Sequence, residues 1–481
     1  MNSTSDIVQR LWSLCHVLRD DGITYHEYVT ELTYLLFLKM AAETGTEHQL
    51  PEGYRWPDLT SRDGTELMQF YRELLVYLGA NGAQVVQQIF NGASTSLRQP
   101  RNLRKLVEDI DALDWYSARE EGLGDLYEGL LKKNADEKKS GAGQYFTPRV
   151  LIDVMVDLTQ PRAGEVIQDP AAGTGGFLIA ADRFIREHTS DYFELSEAQQ
   201  QFQRSRAYHG VELVLDTHRL LLMNAFLHDV SANLVNGDSL SPLGADLPRA
   251  DVVLTNPPFG TKKGGGRPTR DDFTFPTSNK QLAFLQHIYR GLKPGGRAAV
   301  VLPDNVLFEE HTGARIRADL MDKCDLHTIL RLPTGIFYAQ GVKTNVLFFT
   351  RGESDKSTTR ATWVYDLRAN MASFGKRTPL LREHFAEFEA AFGDDPYGRA
   401  ERADQGEDGR FRCFTREAIS QRGDNLDISW LRDESNGDGE ELPEPEVIAA
   451  EILGHLRRAV DEMEGLVDSL DQTEEDSAGI P

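Results

Sequence analysis

The segment Asp251–Gly260, DVVLTNPPFG, decides how the chain is read. Val252, Val253 and Leu254 make a short unbroken apolar run, the composition of a strand buried on both faces of a parallel sheet. Two prolines in succession, Pro257 and Pro258, remove two backbone donors and fix φ, so the strand ends and the chain leaves it rigidly at its carboxyl edge. In open α/β sheets that edge is where ligands bind. Asn256, Pro257, Pro258 and Phe259 are therefore the candidate reactive residues.

Three earlier stretches point to the same edge. Glu165–Phe177, EVIQDPAAGTGGF, reads as strand, turn, helix: Val166 and Ile167 suit a buried strand, and Gly173, Gly175 and Gly176 let backbone approach a ligand. The helix expected over Phe177–Arg186 would present free N–H groups at its start, which favour an anionic group. The glycine spacing matches neither the dinucleotide fingerprint nor the phosphate loop. Tyr208–Leu213 (YHGVEL) is a second strand ending on Glu212, followed by a helix over Asp216–Leu227, and Ala232–Asp238 (ANLVNGD) a third ending on Asp238. Either acid alone reads as a helix cap or a solvated group. In this order, after a glycine turn and before NPPF, one can accept from ribose hydroxyls and the other from an exocyclic amine.

Beyond NPPF, Gly260–Arg270 (GTKKGGGRPTR) sets Lys262, Lys263, Arg267 and Arg270 among glycines, either a phosphate-contacting loop or a solvated one. A helix over Asn279–Leu292 and strands over Gly296–Pro303, Leu326–Leu332 and Asn345–Thr350 complete an α/β fold, a doubly wound sheet of seven strands spanning 144–355.

Residues 1–131 read as a helical domain, with Ile7, Leu11, Leu14, Val17 and Leu18 on one face and Tyr28, Leu32, Leu35, Leu36 and Met40 repeating the pattern. A packing or docking module is the plain expectation for it. Residues 132–143 form a charged, then small linker that runs into Gly143–Pro148, GQYFTP. Its aromatics suit a ligand; they also suit a hydrophobic staple on a helix over 148–158 with Thr147 as N-cap and Pro148 as first residue. Residues 356–435 are a mixed extension with little signal. In the acidic tail, 436–481, Ala449, Leu453, Leu456, Val460, Met463, Val467 and Leu470 alternate steps of four and three, a short heptad seam that wants another helix to pack on.

A chain of 481 residues exceeds one compact core, so several domains are expected. The apolar stretch Leu32–Ala42 is interrupted by Lys39 and falls short of the roughly 20 residues of a membrane span. The start MNSTSDIVQR lacks a signal pattern, which makes the cytoplasm the expected location. Cys15, Cys324 and Cys413 have neither disulfide nor zinc spacing, and no metal is expected. A net charge of −24 argues against unaided wrapping of nucleic acid, although 14 Asp and Glu against two Arg from Ser435 onward hold half of that excess.

An aromatic amine is a poor nucleophile because its lone pair is delocalised into the ring. Methylating it calls for acceptors that draw electron density back onto nitrogen. The Asn256 side-chain oxygen and the Pro257 carbonyl, held by the double proline, can accept both amine hydrogens, and Phe259 can stack on a base flipped out of a duplex. With GQYFTP, DPAAGTGGF, GVEL, GD and NPPF in this order, the chain resembles the modification subunit of type I restriction-modification systems, within the S-adenosylmethionine-dependent N6-adenine DNA methyltransferases. The resemblance runs from the helical domain to about residue 350. It implies that Gln144, Tyr145, Phe146, Thr147, Pro148 and Arg149, with Thr174, Gly175 and Gly176, surround the methionine portion of the cofactor. Asp169 and Gly173 belong to the same set, Glu212 holds the ribose and Asp238 the adenine. Asn256, Pro257, Pro258 and Phe259 hold the target adenine, with Phe where many relatives have Tyr. It also implies double-stranded DNA as substrate, a specificity subunit that reads the sequence, two modification subunits per specificity subunit, and a restriction subunit as an optional further component. The alternatives are methylation of RNA or of a protein glutamine, which NPPF alone would equally suit, and a catalytically silent cofactor-binding scaffold.

Overall fold

The computed structural model describes residues 4–19, 22–23, 25–113, 115, 127, 129–130, 147–259, 268–337, 343–371, 374 and 378–431. The linker 132–143, Gln144–Phe146, Lys262, Lys263, Arg267 and the heptad seam lie outside the described residues. The chain divides into two compact units, one of Met1–Phe146, Ala172–Arg183 and Leu195–Gly237, the other of Thr147–Ala171, Phe184–Glu194 and Asp238–Pro481.

In the first unit the described residues before position 131 form helices and turns only. Helix Gly64–Ala80 starts where the Asp63 carboxylate accepts from Gly64 N–H, and buries Leu67, Met68, Tyr71, Leu74, Leu75 and Leu78, the spacing of one helical face. Helix Pro100–Asp111 opens on Pro100, whose missing N–H has no intrahelical partner to lose. Tyr28, Leu32, Leu35, Leu36 and Met40 of helix Tyr25–Thr44 are all buried, as their periodicity required. Lys39, the charge that interrupts this apolar stretch, pairs with Asp111 at 2.8 Å and Glu43 at 2.8 Å. Buried Glu31 accepts from the Tyr71 hydroxyl at 2.8 Å and from Ser96 N–H at 2.6 Å, while burial raises its pKa. The unit also holds strands β2 (Tyr208–Glu212) and β3 (Ala232–Asn236), paired in parallel, and the helix Leu215–Leu227 between them. Leu220, Leu222 and Met223 of that helix enter the same apolar core as the amino-terminal helices.

The second unit is built on strands β1 (Ile167–Asp169), β4 (Ala250–Thr255), β5 (Leu292–Pro303), β6 (Cys324–Arg331), β7 (Thr344–Arg351), β8 (Ala361–Asp366) and β9 (Phe411–Thr415), in the order β1-β4-β5-β7-β6-β8-β9. β1, β4 and β5 run parallel, with Ile167 opposite Val252 and Val253 opposite Ala298. β7 is antiparallel to both β5 and β6. The described strands thus number nine rather than seven. The additional two come from the mixed extension: β8 pairs parallel with β6 and β9 antiparallel with β8. Their sequences, ATWVYD and FRCFT, mix polar with apolar residues and lack the unbroken apolar run of the central strands. Between β4 and β5 the helix Lys280–Gly291 is capped by the Asn279 side chain, which accepts from Gln281 and Leu282 N–H. Arg297 on β5, fully buried, is held by Glu165 at 2.8 Å and by the Thr159 and Gln160 carbonyls, fixing the helix Arg149–Thr159 to the sheet.

Candidate active site

β4 delivers Asn256 at its carboxyl end, one residue past Thr255. Asn256 is only 6% exposed. Its Nδ2 donates to Thr147 Oγ1 at 3.0 Å, and its Oδ1 is buried with no hydrogen-bond partner among the described residues. An amide held by its donor end thus keeps its acceptor end open. Leaving a buried acceptor unmatched costs on the order of 1–3 kcal/mol, which a substrate amine would offset. Pro257 is buried, while Pro258 and Phe259 are half-buried. The Phe259 ring meets Phe337 edge-on, with centroids 5.8 Å apart and planes at 85°.

Thr147 does not cap a helix. The helix runs Arg149–Thr159, with Pro148 at the cap position and no side-chain cap bond, because the Thr147 hydroxyl faces Asn256 instead. Arg149 lies in the helix's first turn, 3.7 Å from Asp153. At the end of β1, buried Asp169 accepts from Ala171 N–H at 3.1 Å, a local turn that shapes the start of the glycine segment. Asp238 is exposed, and its Oδ1 accepts from Leu240 N–H at 2.8 Å. Ser239 beside it donates to the Pro170 carbonyl at 2.6 Å.

Arg270 is drawn inward. Its guanidinium forms a two-pronged pair with Asp272 at 2.7 and 2.6 Å and donates to the Ser239 carbonyl at 3.1 Å and to His287 Nδ1 at 2.7 Å, with its side chain 4% exposed. Burial, with Arg270 adding to it, pushes His287 down to about 3, so the imidazole is neutral and able to accept. Arg270 therefore braces the turn after Asp238 rather than reaching outward, and the phosphate-contact expectation rests on Lys262, Lys263 and Arg267.

In the first unit the glycine turn and Glu212 meet directly. Glu212 Oε2 accepts from Gly173 N–H at 3.0 Å and Oε1 from Val214 N–H at 2.8 Å. Burial raises the Glu212 pKa, opposed by the Val214 and Gly173 N–H groups. Gly173 and Gly175 lie at φ +54 and +87, the left-handed region. A Cβ on Gly173 would meet nothing within 4 Å, so the turn leaves open space there, and the helix Gly176–Glu187 begins directly after it. Open space, a half-buried acceptor carboxylate and a fresh helix start fit the ribose hydroxyls and carboxylate of S-adenosylmethionine.

Three residues that contact these segments or share their sheet edge were not singled out in the sequence. Phe337, in the loop after β6, was signalled only by the aromatic pair in GIFYAQG. Asp304, directly after β5 and so at the edge shared with Asn256, is buried; burial pulls its pKa up, but a two-pronged pair with Arg368 at 2.8 and 2.9 Å, with Asn345, holds it below the usual carboxylate range. Asn224, which donates to the Thr174 carbonyl at 2.9 Å, had no signal in the sequence.

Two families match the chain: N-6 DNA Methylase over residues 118–437 and HsdM N-terminal domain over residues 7–110. Among characterised proteins it is 52% identical to the type I restriction enzyme StySJI methylase subunit of Salmonella typhimurium, over 99% of this chain and 97% of that one. It is likewise 52% identical to the EcoKI methylase subunit of Escherichia coli, over 98% of this chain and 97% of that one. The solved EcoKI M protein superposes with a TM-score of 0.57 at 48% identity, covering 97% of this chain and 96% of that chain. A putative type I modification subunit from Vibrio vulnificus gives 0.69 at 26% identity, covering 89% and 97%.

Proposed function

Since the chain belongs to the N-6 DNA methylase family, among the methylase subunits of type I restriction enzymes, we propose that its methyl transfer turns on the open acceptor Asn256 Oδ1. The chain is an adenine-specific DNA methyltransferase, the modification subunit of a type I restriction-modification system. In this reading Asn256 Oδ1 and the Pro257 carbonyl accept the two hydrogens of the target N6 amine, drawing electron density onto its nitrogen, while Phe259 stacks on the flipped adenine. Phe337 supports the Phe259 ring from its edge, and Pro258 keeps the segment from relaxing away. S-adenosylmethionine, when bound, supplies an electrophilic methyl on a positively charged sulfur. Glu212 would accept from its ribose hydroxyls and Asp238 from its adenine amine. Asp169 and the Gly173–Gly176 turn, with Gln144, Tyr145, Phe146, Thr147, Pro148 and Arg149, would surround the rest. That reading is supported by the Glu212 carboxylate lying against Gly173 N–H and by the open space at Gly173.

The chain is acidic, at −24, and Arg270 is turned inward. Both features favour DNA readout by a specificity subunit; two copies of this chain per specificity subunit, and a restriction subunit as a further component, belong to the same proposal through the family alone. Among the described residues no helix is long and apolar enough to cross a membrane. The cytoplasm, where the DNA lies, is the location this reading implies. The observation that carries the proposal is the unmatched Asn256 Oδ1. Its test is transfer of labelled methyl from S-adenosylmethionine to duplex DNA with and without the specificity protein, for the wild type and Asn256→Ala. Label on adenine only with the partner, and a loss of about 100-fold or more in the variant, is expected. Label in the absence of the partner would overturn the division of labour, and full activity of Asn256→Ala would overturn the site.

A further inference from the structure

We propose that Asn224 is a positioning residue for the cofactor, and that through it the amino-terminal helices hold the glycine turn in its binding shape. This rests on the reading that the turn Gly173–Gly176 receives S-adenosylmethionine.

The turn cannot set its own geometry. Thr174 stands between two glycines in the left-handed region, where backbone is least restricted, so its peptide groups rotate easily unless fastened. The peptide joining Thr174 to Gly175 is fastened at both ends. Gly175 N–H donates to the Ala172 carbonyl at 2.8 Å, and the Thr174 carbonyl accepts from Asn224 Nδ2 at 2.9 Å. Asn224 is 1% exposed in the last turn of the helix Leu215–Leu227, a buried position that packing alone would fill with an apolar side chain. Its Oδ1 has no hydrogen-bond partner among the described residues, so the amide sits there at a cost that packing alone would not justify. One turn earlier, Leu221 lies so close that a Cβ on Gly175 would come within 2.6 Å of its Cδ1. A single stripe of this helix thus meets both the carbonyl and the α-carbon of the turn.

The rest of the helix belongs to the amino-terminal core. Leu220, Leu222 and Met223 are buried with it, and Phe226 packs on Phe37 with ring centroids 5.0 Å apart. Arg219 donates to the Asn91 carbonyl and pairs with Asp216, fixing the helix to the segment after helix Gln84–Ile89. The amino-terminal helices therefore fix the helix, the helix fixes Asn224, and Asn224 fixes the turn.

The test is calorimetric titration of S-adenosylmethionine into the full-length wild type, Asn224→Asp and Arg219→Gln, with kcat and cofactor KM measured in the assembled enzyme. Asn224→Asp keeps the shape but replaces the donor with an acceptor; its Kd and KM should rise on the order of tenfold, with kcat at saturating cofactor within about twofold. Arg219→Gln, which does not touch the turn, should raise Kd about threefold, and the double variant should fall short of the product of the two because they act through one helix. Thermal unfolding without ligand reports whether each variant is folded. An unchanged Kd in folded Asn224→Asp, or a fall in kcat with KM unaltered, overturns the proposal. Should Asn224→Asp not fold, an unchanged Kd in Arg219→Gln overturns it and a raised one supports it. Absence of binding by the wild type overturns the reading of the turn itself, and the proposal with it.

Discussion

Thr147→Val removes one oxygen and tests how Asn256 Oδ1, the proposed acceptor of the target amine, is aimed. Valine keeps the branched shape, so packing around residue 147, itself 8% exposed, is preserved. What is lost is the acceptor 3.0 Å from Asn256 Nδ2. With both partners buried, the bond is worth about 1–2 kcal/mol. Without it the productive orientation leaves Nδ2 buried and unmatched, so the amide turns away from it by about that energy, and a wrongly turned amide repels an amine hydrogen. At about 1.4 kcal/mol per decade, kcat should fall roughly 5- to 30-fold. That is less than for Asn256→Ala, because the acceptor survives and only its orientation suffers. Thr147→Ser retains the hydroxyl and should stay within about twofold of the wild type. The assay is single-turnover methyl transfer to a hemimethylated or unmodified duplex in the assembled enzyme, with cofactor KM measured alongside. A loss in the Ser variant with wild-type activity in the Val variant would show that the methyl group, not the hydroxyl, matters. A raised cofactor KM with unchanged kcat would return the hydroxyl to the cofactor and refute the reasoning.

The glycine turn and the buried histidines give two further tests. Gly175→Ala must adopt φ +87 and bring a Cβ within 2.6 Å of Leu221 Cδ1, so stability should drop about 1–2 kcal/mol with weaker cofactor binding. Urea unfolding and calorimetry check it, and wild-type values in both would sink the idea. His287 and His327 are each pushed down to about 3, chiefly by burial, against an unfolded value of about 6.5. Their folded pKa values are depressed, so the stability they contribute is present above about pH 6.5 and lost as pH falls towards 3. Asp325, raised to about 6 by burial, acts in the opposite sense, its contribution being lost as pH rises through that value. The two histidines outweigh it, so urea midpoints should fall steadily from pH 7 to pH 4 and His287→Gln should flatten the slope; a flat wild-type profile would count against neutral burial.

The parts of the fold that were legible in the sequence share a physical cause. β4, β5, β6 and β7 each contain a buried apolar run, VVL, AAVVL, IL and VLFF, and such runs announce a strand, while β1 was read from Val166 and Ile167 ahead of the glycine turn. The direction of β7 was not legible, because a buried antiparallel strand has the same composition as a parallel one. β8, which matches β4 in length, and β9 were hidden because neither has an unbroken run of Val, Leu, Ile or Phe. Within the site, NPPF and the glycine turn could be read because they need unusual residues: prolines to stop a strand and glycines at positive φ. Side chains that work through a partner distant in sequence could not. Thr147 looks like a helix cap until it is seen 109 positions away from its partner Asn256. Arg270 looks like a solvated charge until Asp272, Ser239 and His287 are found around it.

That inward turn of Arg270 bears on how an acidic chain acts on DNA. Phosphate contact needs cations free to displace counterions, and a guanidinium already engaged with Asp272 at 2.6 Å contributes little to it. The loop after NPPF is left with Lys262, Lys263 and Arg267, three positive charges on a chain of −24. Asn256 Oδ1 and the Pro257 carbonyl, in the role proposed for them, would select an amine and carry no information about neighbouring bases. Neither affinity nor sequence choice is therefore supplied in quantity by the reactive edge. Arg270 instead ties the turn beside Asp238 to the segment that follows the loop, through the Ser239 carbonyl at 3.1 Å. On the proposed assignment Arg270 thus holds the segment after Asp238 against the segment after the loop, a structural use of its charge that leaves DNA contact to other groups.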